Sequence, residues 1–177
     1  MFYIVFASAI AFLCEHGLAA QNLSVYTSLE AKQCRTIKIA TTGAGDYEGR
    51  CRGVSGYSLV LLEGDLRQNV VVVTPKSAKH SLDLWDVISG GFSYVGSKAE
   101  WRVARQNAKV SPVALILRYN VAKDAEHPDK KSSYLVVSKI TASEICVTDK
   151  ISRGPKANDA ARRAADNAAT KPCLKKQ

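Results

Sequence analysis

A chain of 177 residues with 46% hydrophobic and 23% charged content has room for one packed core, and its composition excludes a disordered polymer or a fibrous repeat. Its 25 Lys and Arg side chains outnumber 16 Asp and Glu, for a formal charge of +9. That excess steers acidic partners toward the surface, whether anionic polymer, lipid headgroup or nucleic acid, and carries no information about fold.

The N-terminal stretch MFYIVFASAIAFLCEHGLAAQN reads as a secretory signal. Its apolar run from Phe2 to Cys14 is too short for the roughly 20 residues of a spanning helix, and small residues follow it. Gly17 and Ala19 suit the −3 and −1 positions of a cut after Ala19, giving a signal peptide over 1–19 and a single domain over 20–177. No Lys or Arg precedes the apolar run, a departure from the usual pattern. A lipid anchor at Cys14 is disfavoured by the bulky Phe12 and Leu13 before it.

Cleavage removes one of five cysteines and leaves Cys34, Cys51, Cys146 and Cys173, an even number suited to an oxidising compartment. No C-x-x-C pair and no neighbouring histidine speaks for zinc or thioredoxin-like chemistry. Three pairings are open; joining Cys34 to Cys51 and Cys146 to Cys173 closes the shortest loops, each worth about 3 kcal/mol.

Within the segment between Cys34 and Cys51, Gly43, Gly45 and Gly49 read as a flexible turn rather than a phosphate cradle, which would need a strand before it and a helix after it. The sequence YSLVLLEGDLRQNVVVV from Tyr57 is a hairpin signal. A tip at Gly64 and Asp65 pairs Glu63 with Leu66 and Leu59 with Val70, and both ribbon faces are apolar, as in a central pair of strands. SLDLWDVI reads as a short helix or an irregular lid. Further strands are expected around Trp101, from Pro112 to Val121, from Ser133 to Thr141 and from Glu144 to Ile151, with a charged loop between the second and third of these. The alanine-rich stretch from Pro155 to Pro172 predicts a helix capped by Asn158 and stopped by Pro172. Strands followed by one helix predict an α+β domain with a mainly antiparallel β-sheet, a C-terminal helix and two disulfides.

No nucleophile elbow, S-x-x-K, H-E-x-x-H or P-loop is present, which points away from the familiar hydrolase and nucleotide classes. Beyond the signal the imidazoles are His80 and His127. His80, Asp83 and Asp86 recur every three residues and offer metal-ligand chemistry if the segment coils, though the spacing is common by chance. A polar face opposite Leu82, Leu84 and Trp85 is the favoured account of it. Glu63, Asp65 and Arg67 cluster at the hairpin tip, and Glu100 and Arg102 flank Trp101 on one side of a strand. They form either a polar recognition patch or ion pairs that orient a turn. On the last helix Asp159 can pair with Arg162 and Arg163, and Arg162 can reach Asp166. The helix thus reads as a lid fastened to the Cys146 strand, leaving any anion affinity to Lys171, Lys175 and Lys176.

Cys34, Cys51, Gly56-Tyr57, the Glu63-Gly64-Asp65 and Arg67 turn, Glu100-Trp101-Arg102, Leu117-Arg118, Cys146, the Ala161-Arg162, Ala164-Ala165-Asp166 stretch and Cys173 together resemble a group of small exported alphaproteobacterial proteins of unknown function. The resemblance covers most of the mature chain. It implies export and one domain, and brings no activity with it. The expectation is a periplasmic or secreted binding domain without catalysis or cofactor, directed at an envelope protein or an anionic polymer and not at nucleic acid. A metal-dependent hydrolase built on His80, Asp83 and Asp86 and a purely structural envelope protein are the alternatives.

Overall fold

The structure is a computed structural model that describes residues 22–40, 42, 45–106, 109–124 and 126–177. The expected signal peptide over 1–19, the cleavage position and Gly43 lie outside the described residues.

The elements in chain order are β1 (Leu23–Ser28), a 3-10 turn (Ala31–Gln33), β2 (Arg35–Ile39), β3 (Tyr47–Arg52), β4 (Ser58–Gly64), β5 (Arg67–Val73), β6 (Lys79–Ser81), α1 (Leu84–Val87), β7 (Ser93–Gln106), β8 (Lys109–Ala122), β9 (Lys131–Ile140), β10 (Ile145–Ser152), α2 (Ala157–Asp166) and a second 3-10 turn (Ala168–Thr170). They form an α+β fold with one sheet in the order β10-β9-β8-β7-β5-β4-β3-β2, with β1 added to β7 and β6 to β5. All pairings are antiparallel except one parallel bridge, Arg67 to Ser93, which joins the two halves. Disulfides join Cys34 to Cys51 and Cys146 to Cys173, as the short loops predict. Among the described residues no helix is long and apolar enough to cross a membrane.

Period-two alternation supplies the core. Leu59, Leu61, Val70 and Val72 from the first half meet Trp101, Leu115, Leu117 and Val136 from the second in one buried cluster. Trp101 is fully buried, its ring centroid 6.1 Å from that of Tyr57. Its indole N–H donates to Thr27 Oγ1 at 2.9 Å, so the one polar atom of the ring is satisfied. Gly53 makes this packing possible: a Cβ there would lie 2.8 Å from Trp101 Cζ2 and 2.7 Å from the Tyr57 carbonyl oxygen. On the opposite face of β8 and β9, Ala114, Ile116, Leu135 and Val137 take Ala161 and Ala165 of α2. The small alanine stripe lets the helix axis approach, at the expense of apolar area.

Three expectations are corrected. The β4–β5 tip is Asp65-Leu66, with φ of 48° and 57°, and Gly64 pairs with Arg67. Glu63 consequently faces Gln68 and Leu59 faces Val72. The expected register would have put Leu61 against Gln68; the observed one puts it against Val70, and apolar cross-strand matching outweighs the preference for glycine at the tip. Asn158 is not the cap of α2. The chain is already turning at Gly154-Pro155, where the Ala157 amide donates to the Gly154 carbonyl, and the cap position falls to Lys156. The helix ends at Asp166, and Pro172 follows the second 3-10 turn instead of stopping the helix. β1, β2 and β3 also lie ahead of the first strand expected at Tyr57; β2 and β3 form a hairpin inside the Cys34–Cys51 loop.

Pro112 falls at a bulge in the β7–β8 ladder, opposite Val103 and beyond the first β9 pairing at Ala114, so no ladder bond is lost to its missing N–H.

Candidate functional site

The outer face of β7, β8 and β9 carries both α2 and a set of neighbouring recesses. Between Val95 and Ala99 the β7–β8 register shifts, so β7 bulges over Gly96 to Lys98. Gly96 sits on the floor, where a Cβ would come 3.0 Å from Arg118 Cβ. The bulge and the missing side chain open a cleft of about 280 Å³ lined by Gly96, Lys98, Arg118, Asn158 and Arg162, among others. A second recess of about 500 Å³ shares Arg118 and Asn158 with the first and adds Asn120, Lys131, Ser133 and Arg153. A third, about 250 Å³, shares Tyr94 and Lys131 with the second and extends past Phe92 to Pro128 and Leu66. Through these shared residues the three adjoin one another in a row, together called the trough, beginning beside the N-terminal end of α2.

The cations around this trough divide into two sets. Arg102 is buried and bidentate to Asp166, with Nε and Nη2 each 2.9 Å from the carboxylate, and it also donates to Ser24 Oγ and the Asn22 carbonyl. Arg162 donates to Glu100 Oε1 at 2.7 Å and lies 3.6 Å from Asp159. Burial pushes the Glu100 carboxyl up, but hydrogen bonds from Arg162, Ser24 and Tyr26 outweigh it and hold the group below the usual carboxylate range. Lys139 reaches Glu144 at 2.6 Å and the Lys171 carbonyl at 2.9 Å, and Lys171 reaches Asp149 at 2.6 Å. These four cations are neutralised, and they fasten α2 and the following turn to the sheet. Lys98, Arg118, Lys131 and Arg153 are different: none makes an ion pair among the described residues. Arg118 is half-buried and donates to Ser133 Oγ at 3.1 Å, and the Lys131 ammonium lies 4.7 Å from the Tyr94 ring centroid. Four uncompensated cations around these recesses, with the partial positive charge of a helix N-terminus next to them, make a place for anionic groups.

The residues singled out from the sequence are dispersed. Glu100 and Arg102 do share the outer face of β7, but each is taken by α2, and Trp101 between them points into the core where no partner can stack on it. At the hairpin tip Arg67 pairs with Asp65, donates to the Gly90 carbonyl at 2.7 Å and covers the Phe92 ring, while Glu63 accepts from Gln68. These contacts orient the turn. Asp166 pairs with Arg102, not with Arg162. Of the terminal lysines, Lys171 is held by Asp149 and Lys176 by Asp86 at 2.8 Å and Asp83 at 3.3 Å; Lys175 makes no ion pair among the described residues. The Lys176 ammonium thus occupies the two carboxylates expected as metal ligands. His80 does not join them: among the described residues the trios with ligand atoms close together are Asp124, Glu126 and His127 on an exposed loop, and Glu144 with the disulfide-bonded Cys146 and Cys173. A hydrogen bond from Ser81, opposed by burial and aided by a hydrogen bond and attraction from Lys176, holds Asp83 below its ordinary range.

Arg118, Lys131 and Arg153 were not among the expected site residues. They lie on β8, at the start of β9 and just after β10, and only the three-strand register gathers them. One signal was present: Ala114, Ile116 and Arg118 share a strand face, so a cation continues the apolar stripe that receives α2.

No protein-family model, no curated protein and no solved structure matches the chain.

Proposed function

We propose that this chain is an exported binding module whose partner is anionic and occupies the trough between the outer face of β7–β9 and the N-terminal end of α2. The observation that carries the reading is the contrast in charge pairing: the neighbouring Arg102, Arg162, Lys139 and Lys171 all have carboxylate partners, while Arg118, Lys131 and Arg153 have none among the described residues. Leaving these cations and Lys98 uncompensated around the recesses stores attraction for an incoming anion without a desolvated counter-ion to displace. Export is supported by the signal-like N-terminus and by the two disulfides. The trough favours a binding role over a purely structural one, since a structural protein has no use for a recess of this size.

Inorganic polyphosphate serves as a plain test of anion binding. The purified chain should bind it at low salt, lose affinity steeply between about 50 and 300 mM salt as screening shortens the reach of each cation, and lose at least about tenfold in the Arg118→Gln/Arg153→Gln double variant. Equal affinity in the double variant and the parent would sink the assignment to this trough.

A further inference from the structure

Resting on that reading, we infer that the anionic partner is an acidic saccharide, with its charged groups on Arg118 and Arg153 and a ring face on Tyr94. The first reason is the floor of the trough. It crosses the face of β8, an interior strand flanked by β7 and β9, so it presents no open sheet edge; the main chain left out of the ladders there is the short Gly96 to Lys98 bulge and the first turn of α2. An extended peptide laid there would find main-chain partners only at that bulge and helix start and would leave most of its own N–H and C=O groups unpaired, and the usual route of peptide recognition, adding a strand at a sheet edge, is closed on this face.

The second reason is what the walls do offer. Asn120, Ser133 and Asn158 line the same recess as Arg118 and Arg153. Neutral amides and a hydroxyl interleaved with cations match a chain that carries hydroxyls and acid groups on each unit, whereas a bare polyphosphate uses the cations alone. The third is Tyr94, which lies where two of the recesses meet, is 42% exposed, and has the Lys131 ammonium 4.7 Å from its ring centroid. The ammonium covers one face of the ring, and the remaining exposed ring surface is an apolar platform within a polar groove, one that the flat C–H face of a pyranose is of the right kind to cover.

Titration calorimetry with an oligogalacturonate and an oligoglutamate of matched length separates the possibilities, with carboxylates common to both and sugar rings to only one. The oligogalacturonate should bind at least about tenfold more tightly. Tyr94→Ala should lose about three- to tenfold for the oligogalacturonate and nothing for the oligoglutamate, and Arg118→Gln should weaken both. Equal binding of the two probes with no effect of Tyr94→Ala overturns the saccharide assignment while leaving anion binding in place. Tighter binding of the oligoglutamate overturns it in favour of an acidic peptide. Failure of both probes at low salt removes the anionic reading as well.

Discussion

Removing the carboxylate of Asp166 should destabilise the protein more than removing the guanidinium of Arg102, although both substitutions delete the same ion pair. The Arg102 side chain is 7% exposed and that of Asp166 is 31% exposed. In Asp166→Ala the guanidinium stays buried, keeps its bonds to Ser24 and the Asn22 carbonyl, and loses both bonds to the carboxylate. An uncompensated buried charge of this kind costs about 3–5 kcal/mol. In Arg102→Met the volume is retained and Asp166 turns to water, so the loss is that of charge-assisted hydrogen bonds, about 1.5–3 kcal/mol. Asp166 also ends α2, where a carboxylate is repelled by the helix dipole; its removal recovers about 0.5 kcal/mol, too little to reverse the order. Urea unfolding followed by tryptophan fluorescence, with disulfides intact and m-values compared, reads both costs. If Arg102→Met proves as costly as Asp166→Ala at unchanged m, the argument that Arg102 is held by burial and needs this partner is wrong.

Converting Cys146 and Cys173 to serine should lower stability by about 3–4 kcal/mol, because the bond closes a loop with a sequence separation of 27, and amide exchange should rise first over α2; equal exchange there would show that ion pairs alone hold the helix. Gly53→Ala should cost at least about 2 kcal/mol in thermal unfolding, since the new methyl meets the backbone of Tyr57 as well as the Trp101 ring, and neither yields cheaply. The acid limb of stability should flatten in Glu100→Gln. The folded carboxyl titrates below its ordinary value, so its contribution is complete above about pH 4.5 and is lost as the pH falls through the folded value; a parent and variant with parallel pH profiles below about pH 5 would contradict it.

The parts of the fold written in local pattern were legible. Alternation located β4, β5, the second half of β7, β8, β9 and β10 but not β6 or the start of β7, the shortest cysteine loops gave the disulfides, and alanines with interspersed charges gave α2. What escaped was set by partners distant in sequence. β1 is held by β7, with Thr27 and Trp101 separated by 74 positions, and nothing in LSVYTS specifies that pairing. The alternation around Trp101 gave the right sides of the strand, yet the choice between an open charge patch and closed ion pairs rested on α2, 62 and 64 residues away for Glu100 and Arg102. The trough was hidden for the same reason. Arg118, Lys131 and Arg153 are unremarkable cations in sequence, and become a cluster only when β8, β9 and the β10–α2 turn align and the bulge at Gly96 opens the floor.

The measurement that bears most directly on this account is a backbone amide chemical-shift map of the chain titrated with polyphosphate at low salt. Binding in the trough predicts that the largest shifts fall at Gly96, Arg118, Ser133, Gly154 and Asn158, the residues around its floor and the entry to α2. Shifts concentrated instead around Lys175 at the C-terminus, or along the exposed strand β2 with its Arg35 and Lys38, would place the anion site elsewhere and contradict the account.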